Sequence, residues 1–211
     1  MNKWIMAGTA AAFTGAAAFA RSEYERTHLD IVHYDIKTDK LGLEWNGFKA
    51  VFLSDLHDNS FGMENEELLA AIEKEQPDIV VIGGDMLVVK EWAAPHFDML
   101  ANLYKKLVER YPVYYAFGNH EQRMKEEPLT YPGWWQSYWK VLKDSGMHVL
   151  VNKSEEIIKN DTAMRISGIT LPRECYRKGR IPSLSAGYID KKIGKASDKN
   201  FELLLAHTPT F

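Results

Sequence analysis

FKAVFLSDLHDNSFGMENEELLAAIEKEQPDIVVIGGD, residues 48–85, reads as a strand, a helix and a second strand. Residues 48–54 form a β-branched and aromatic run that ends abruptly at Asp55. Between 63 and 76 the period changes: Leu68, Leu69 and Ile72 recur at helical spacing behind an acidic first turn, and Pro77 stops the run. Residues 78–84, DIVVIGG, are a fully apolar strand bounded by glycine.

The alternation continues outward. Residues 94–111 place Phe97, Leu100, Leu103, Tyr104 and Leu107 on one face of an amphipathic helix, and PVYYAFG (112–118) is another strand. Strand, helix, strand, helix, strand argues for a layered α/β domain with parallel pairing, whose ligands sit beyond the carboxyl ends of the strands. Upstream, HLDIVHYDIK (28–37) reads as a strand with imperfect alternation. Downstream, GWWQSYWKVLKDSG (133–146) reads as a helix. MHVLVN, EEIIKN, MRISGIT and FELLLA read as strands, most of them without intervening helices. A second sheet packed on the first accommodates them.

A chain of 211 residues and 24.2 kDa fits one main domain with a sizeable core. The net charge of −3 removes the basic excess that phosphate-backbone binding needs, so no stable nucleic acid complex is expected. The single cysteine, Cys175, excludes an intrachain disulfide and a cysteine zinc cluster. Residues 4–20, WIMAGTAAAFTGAAAFA, carry no charge and lie between Lys3 and Arg21. We expect residues 1–26 to be a signal peptide or membrane anchor and 27–211 to be the functional domain, displayed outside the cytoplasm or secreted after cleavage at Ala18-Phe19-Ala20. The length is marginal for a span of about 20 apolar residues, and an Ala-rich helix packed on the domain is the alternative.

Four strand ends carry a hard-oxygen or imidazole group: Asp55 and His57 after residues 48–54, Asp85 after 78–84, Asn119 and His120 after 112–118, and His207 after 201–206. In an extended segment residues i and i+2 point the same way, so Asp55 and His57 are expected to aim at one point. Gly83-Gly84 and Gly118 allow turns or close backbone approach. Carboxylate, imidazole and carboxamide oxygen suit Mn, Fe, Zn or similar divalent ions. Each piece alone has a plainer reading. Asp-x-His is common by chance, Gly-Asp is ordinarily a turn, Asn119 is a favoured helix cap, and His207 is an ordinary strand-end histidine. The plainer readings leave unexplained why all the candidates follow apolar strands and gather on one sheet edge.

FLSDLHDNSFG, VVIGGDM, YAFGNHEQR and LLLAHTP resemble, in order and spacing, the successive blocks of the calcineurin-like metallophosphoesterases, over about residues 48–211; the most specific is Gly-Asn-His-Glu. Residues 54–62 and the apolar N-terminus resemble the membrane-anchored or exported bacterial branch. The resemblance implies a four-layer α/β/β/α sandwich of two mixed sheets, preceded by the N-terminal apolar helix. It also implies a dinuclear site that hydrolyses phosphomonoesters or phosphodiesters through a metal-bound hydroxide. Asp55 and His57 would hold one ion, Asp85 would bridge both, and Asn119 and His207 would hold the other. His120 would be catalytic, acting as acid or electrostatic stabiliser beside the phosphate, with a carboxylate such as Asp58 against its ring. Chemistry suits these roles, because a carboxylate can serve two cations at once and paired cations stabilise entering and leaving oxygens.

The family's closing Gly-His-x-His block is absent, since the chain contains no Gly-His dipeptide, and two further ligands and the last strands are expected beyond residue 211. The rival reading is therefore a catalytically impaired fragment or a tethered non-catalytic module. Tyr131, Trp134, Trp135, Tyr138 and Trp139 are expected to bury one helix face against the sheet rather than form a membrane ledge. Residues 165–199 are rich in Lys and Arg, and a solvated loop is the expected form; a cationic insert there would draw a lipid or cell-envelope phosphoester toward the site.

Overall fold

The computed structural model describes residues 3–177 and 182–208. Lys178 and Arg180 of the basic stretch lie outside the described residues, as does the chain after Thr208.

The first sheet grows from the opening stretch. Strand β1 (Ala50–Leu53) leads through a one-turn 3-10 helix into α2 (Glu66–Glu75) and back to β2 (Ile79–Ile82). Helix α3 (Phe97–Val108), β3 (Val113–Tyr115), α4 (Asn119–Glu126), α5 (Trp134–Ser145) and β4 (His148–Val149) follow. The strands lie in the order β1-β2-β3-β4 and every pair is parallel, so this sheet is not mixed as expected. Helical crossovers separate its strands, and such connections return the chain in the same direction.

Period-2 alternation divides the sheet between two cores. Val80, Ile82, Val113 and Tyr115 pack with Leu68 and Ile72 of α2, Leu100, Leu103 and Leu107 of α3, and Tyr138 and Leu142 of α5. Ile79, Val81, Tyr114 and Ala116 face the other way, onto Leu150, Met164, Ile166 and Leu205. Strand β2 is thus buried on both faces, and each of its apolar side chains contributes on the order of 1.5–3 kcal/mol.

The second sheet is β5 (Lys153–Lys159), β6 (Thr162–Ile169) and β7 (Phe201–Ala206). β5 and β6 form an antiparallel hairpin, and β7 runs parallel to β6. Trp45 closes the edge of the inter-sheet core, donating Nε1–H to Thr162 Oγ1 at 2.7 Å. Helices, first sheet and second sheet make three layers. Against the outer face of the second sheet lies the short α6 (Tyr188–Ile193), whose Ile193 carbonyl accepts from Ser154 Oγ at 3.3 Å and from Arg165.

Two further sequence expectations differ from the structure, and a third is met. Residues 28–37 form no strand: among the described residues they have no sheet partner, and Val32, Tyr34 and Ile36 are exposed, because alternation without an edge to pair with does not fix a strand. The basic stretch is not wholly a solvated loop. It contains a 3-10 turn (Arg173–Tyr176) and α6, and Arg165 of β6 pairs with Glu202 at 3.2 Å. The aromatic segment does bury one face, with Tyr138 fully enclosed and Trp134, Trp135 and Trp139 packed on the first core.

Helix α1 spans Lys3–Thr27, and its end is tied to the loop after β1 by Asn59 Nδ2, which donates to the Arg26 carbonyl at 2.8 Å. Among the described residues no helix is long and apolar enough to cross a membrane.

Candidate metal centre

The loops beyond β1, β2 and β3 meet at Asp85, which is 2% exposed. Backbone pairing welds the first two together: Asp55 N–H donates to the Gly84 carbonyl (3.0 Å), His57 N–H to the Asp85 carbonyl (3.1 Å) and Asp58 N–H to the Met86 carbonyl (3.1 Å). Within this seam Asp55 (φ 57°), His57 (φ 53°), Asp58 (φ 57°) and Asp85 (φ 51°) all occupy the left-handed region. Non-glycine residues there cost energy and concentrate at functional sites. Asp55 and His57 therefore converge through a strained loop and not, as expected, through strand alternation, because β1 ends at Leu53.

Two glycines let the β2 and β3 loops touch. A Cβ on Gly84, already at φ +97°, would lie 2.0 Å from Gly118 N, and one on Gly118 would lie 2.2 Å from Asp85 Oδ1. No larger residue fits between these backbones.

Around Asp85 the side chains close in. His207 Nε2 is 3.2 Å and His57 Nε2 3.5 Å from Asp85 Oδ2, and His57 Nε2 is 3.3 Å from Asp55 Oδ1. His207 Nε2 also lies 3.9 Å from Asp55 Oδ1, and His120 Nε2 lies 3.9 Å from Asp85 Oδ2. Asn119, in the amide orientation that satisfies its neighbours, donates to Asp85 Oδ2 (3.2 Å) and accepts from His120 N–H (3.1 Å); the opposite orientation turns its oxygen to Asp85. Two triads have candidate ligand atoms mutually within 4.8 Å: Asp55, Asp85 and His207, and His57, Asp85 and His120. All six residues singled out in the sequence are thus brought together. Hard oxygens and imidazoles around a buried carboxylate fit a divalent first-row cation.

Proximity alone would treat His120 and His207 alike, but their other ring nitrogens differ. His207 Nδ1 lies 3.0 Å from the Gly83 carbonyl, so it carries the proton and leaves Nε2 free to bind a cation, the arrangement usual for a metal-binding histidine. His120 Nδ1 instead accepts the Val89 N–H at 3.0 Å, so the neutral ring carries its proton on Nε2. His120 is wired as a donor. Asp58 does not back it as expected, because its two oxygens are taken by the Val88 N–H (2.9 Å) and the His96 N–H (3.2 Å).

The ionisation pattern follows. Burial raises the Asp85 pKa, but the hydrogen bonds from His207 and the His120 N–H and the nearby imidazole charges outweigh it and hold the group below the ordinary aspartate value. Burial opposes charge on His207, yet the Asp85 carboxylate raises its pKa to about 9. Burial pushes His120 the other way, with Arg123 assisting, and Asp85 offsets only part of it.

One residue of the site had no role in the sequence reading. Glu121, fully buried, accepts from the Asp85 N–H (3.0 Å), the Met86 N–H (3.1 Å) and the Gly118 N–H (2.9 Å), clamping the β2 and β3 loops. Beneath it Tyr115 Oη donates to Glu121 at 2.7 Å, and Tyr138 and Tyr104 continue the buried chain at 2.6 and 2.8 Å. Burial, then the charge of Asp85, push the Glu121 carboxyl up to about 7. Glu three residues after a helix N-cap is the one sequence signal for part of this, since such a Glu reaches back to the cap N–H.

A family model described as calcineurin-like phosphoesterase matches residues 48–211. The chain is 28% identical over 157 residues to the uncharacterized metallophosphoesterase YkoQ of Bacillus subtilis (strain 168), covering 74% of this chain and 52% of that protein. It is 27% identical over 166 residues to the phosphodiesterase YaeI of Escherichia coli (strain K12), covering 77% and 53%. The chain spans about half the length of the curated relatives it matches.

Proposed function

The chain belongs to the calcineurin-like phosphoesterase family, and from that premise we propose that it hydrolyses a phosphomonoester or phosphodiester at a dinuclear centre bridged by Asp85. Asp55 and His57 would hold one ion, and Asn119 and His207 the other. The four-layer α/β/β/α sandwich belongs to the same reading, as does the N-terminal helix as export signal or membrane tether; the uncharged run at 4–20 supports the latter.

The observation that carries the reading is the opposite wiring of the two histidines beside Asp85. Bound divalent ions would supply positive charge against phosphoryl oxygens and activate a water. His207, with Nδ1–H fixed on Gly83, presents the Nε2 lone pair. His120, with Nδ1 occupied by Val89, presents Nε2–H to a phosphoryl or leaving oxygen, and a donor held ready by the fold needs no reorganisation as charge develops. Asp85, kept ionised, would serve as the shared anionic ligand. Glu121 holds the Asp85 and Gly118 backbones so that Asp85 and Asn119 keep their spacing.

The test is hydrolysis of bis(p-nitrophenyl) phosphate and p-nitrophenyl phosphate with added Mn. Turnover that disappears in Asp85→Asn supports the reading, and turnover unchanged in that variant contradicts it.

A further inference from the structure

Beside Asn119 lies a small cavity of about 120 Å³ lined by Asn119, Gln122, Arg123, Arg173, Tyr176 and Arg177. At about 30 Å³ per water it holds the equivalent of roughly four waters, the scale of one tetrahedral oxyanion rather than a base or sugar.

Two segments distant in sequence build it. Arg123 follows Asn119 by one helical turn on α4, so both project from the same face. The opposite wall is the 3-10 turn Arg173–Tyr176 with Arg177. Tyr176 anchors that turn: its hydroxyl accepts the Leu171 N–H at 3.4 Å, and its ring stands 6.2 Å from the His207 ring. The cavity therefore adjoins the metal centre through Asn119 on one wall and Tyr176 on the other.

Its charge is only partly compensated. Arg173 is paired with Glu127. Among the described residues, neither Arg123 nor Arg177 has a carboxylate within 4.0 Å. Two arginines without a carboxylate partner, lining one cavity of this size, match a phosphoryl group, whose oxygens accept from guanidinium N–H groups.

We propose that this cavity is a subsite for a second phosphoryl group of the substrate, so that the protein favours substrates bearing two phosphoryl groups, one at the Asp85 centre and one between Arg123 and Arg177. The proposal rests on the phosphoesterase reading for the first group, but the subsite itself is a property of the arginines.

The experiment is calorimetric titration of inorganic pyrophosphate into the EDTA-treated chain, with Mn titration of the same proteins in parallel. The wild type is expected to bind pyrophosphate, and Arg123→Gln/Arg177→Gln is expected to bind it about tenfold more weakly or worse, with Mn binding and melting temperature unchanged. Arg173→Gln, already neutralised by Glu127, should change little. No pyrophosphate binding by the wild type, or equal binding by the double variant, overturns the subsite and leaves the metal reading intact. Arginine-dependent binding in a protein that takes up no Mn leaves the subsite standing and removes the metal reading.

Discussion

The Val89 N–H donates to His120 Nδ1 at 3.0 Å, and this single hydrogen bond separates the chemistry of His120 from that of His207. A ring whose Nδ1 accepts must carry its proton on Nε2, so His120 faces Asp85 as a donor, whereas His207, held on the Gly83 carbonyl, faces it with a lone pair once neutral.

Replacing His120 by Ala should lower phosphoester turnover about 10²–10⁴-fold, the usual contribution of a positioned proton donor. Steady-state kinetics on an aryl phosphate diester check this, and the loss should fall on kcat more than on KM. A KM-only effect would assign His120 to substrate binding alone.

Metal affinity should rise with pH. His207 in the metal-free protein holds its proton up to about 9, and a cation must displace it. Below that value each pH unit should strengthen the apparent Mn affinity by up to about tenfold for the one proton released. The stability of the bare protein should run the opposite way. Because the folded pKa lies above the unfolded one, the His207–Asp85 pair contributes fully below about 6.5 and its contribution is lost as pH climbs toward 9. Thermal melts across pH 6–9 in EDTA, compared with His207→Ala, read the difference, and parallel profiles would contradict the assignment.

Glu121→Ala should destabilise the fold by at least about 3 kcal/mol, because three buried N–H groups and the Tyr115 hydroxyl lose their acceptor at roughly 1–3 kcal/mol each. Tyr115→Phe removes one donor and should cost about 1–2 kcal/mol. Urea denaturation orders the two, and an equal effect would mean that the clamp on the loops adds nothing beyond the tyrosine bond.

Gly118→Ala places a methyl 2.2 Å from Asp85 Oδ1 and 2.5 Å from its N, so the two loops must part. A cost of about 1–3 kcal/mol is expected from overpacking, with weakened Mn binding. Gly133→Ala has open space at its Cβ but a φ of +78°, so it should lose stability without touching metal affinity. Melting curves and Mn titrations on both variants separate the two effects.

What the sequence revealed and what it hid divide along range. The strands at 50–53, 79–82 and 113–115, their intervening helices and the polar groups at their ends were legible, because apolar period and breaking glycines are local signals. The strand expected at 28–37 failed for the same reason in reverse, since alternation says nothing about whether a sheet edge is available to pair with it. The site residues gathered as expected, but the means were not readable: four left-handed residues at 55, 57, 58 and 85 replace the anticipated strand alternation. The Val89–His120 bond, the engagement of Asp58 by Val88 and His96, and the Glu121 clamp each join residues at least 30 positions apart, apart from the short reach of Glu121 to Gly118. No periodicity encodes such contacts. Only that last link left a trace, as Glu at the third position of a helix.

Asp85 as the shared metal ligand, with His120 only a donor, is put to the test by titrating Mn into the wild type, Asp85→Asn and His120→Ala side by side. Asp85→Asn should lose Mn binding by at least about 10²-fold while His120→Ala binds as the wild type does. Binding retained in Asp85→Asn, or lost equally in His120→Ala, would contradict it.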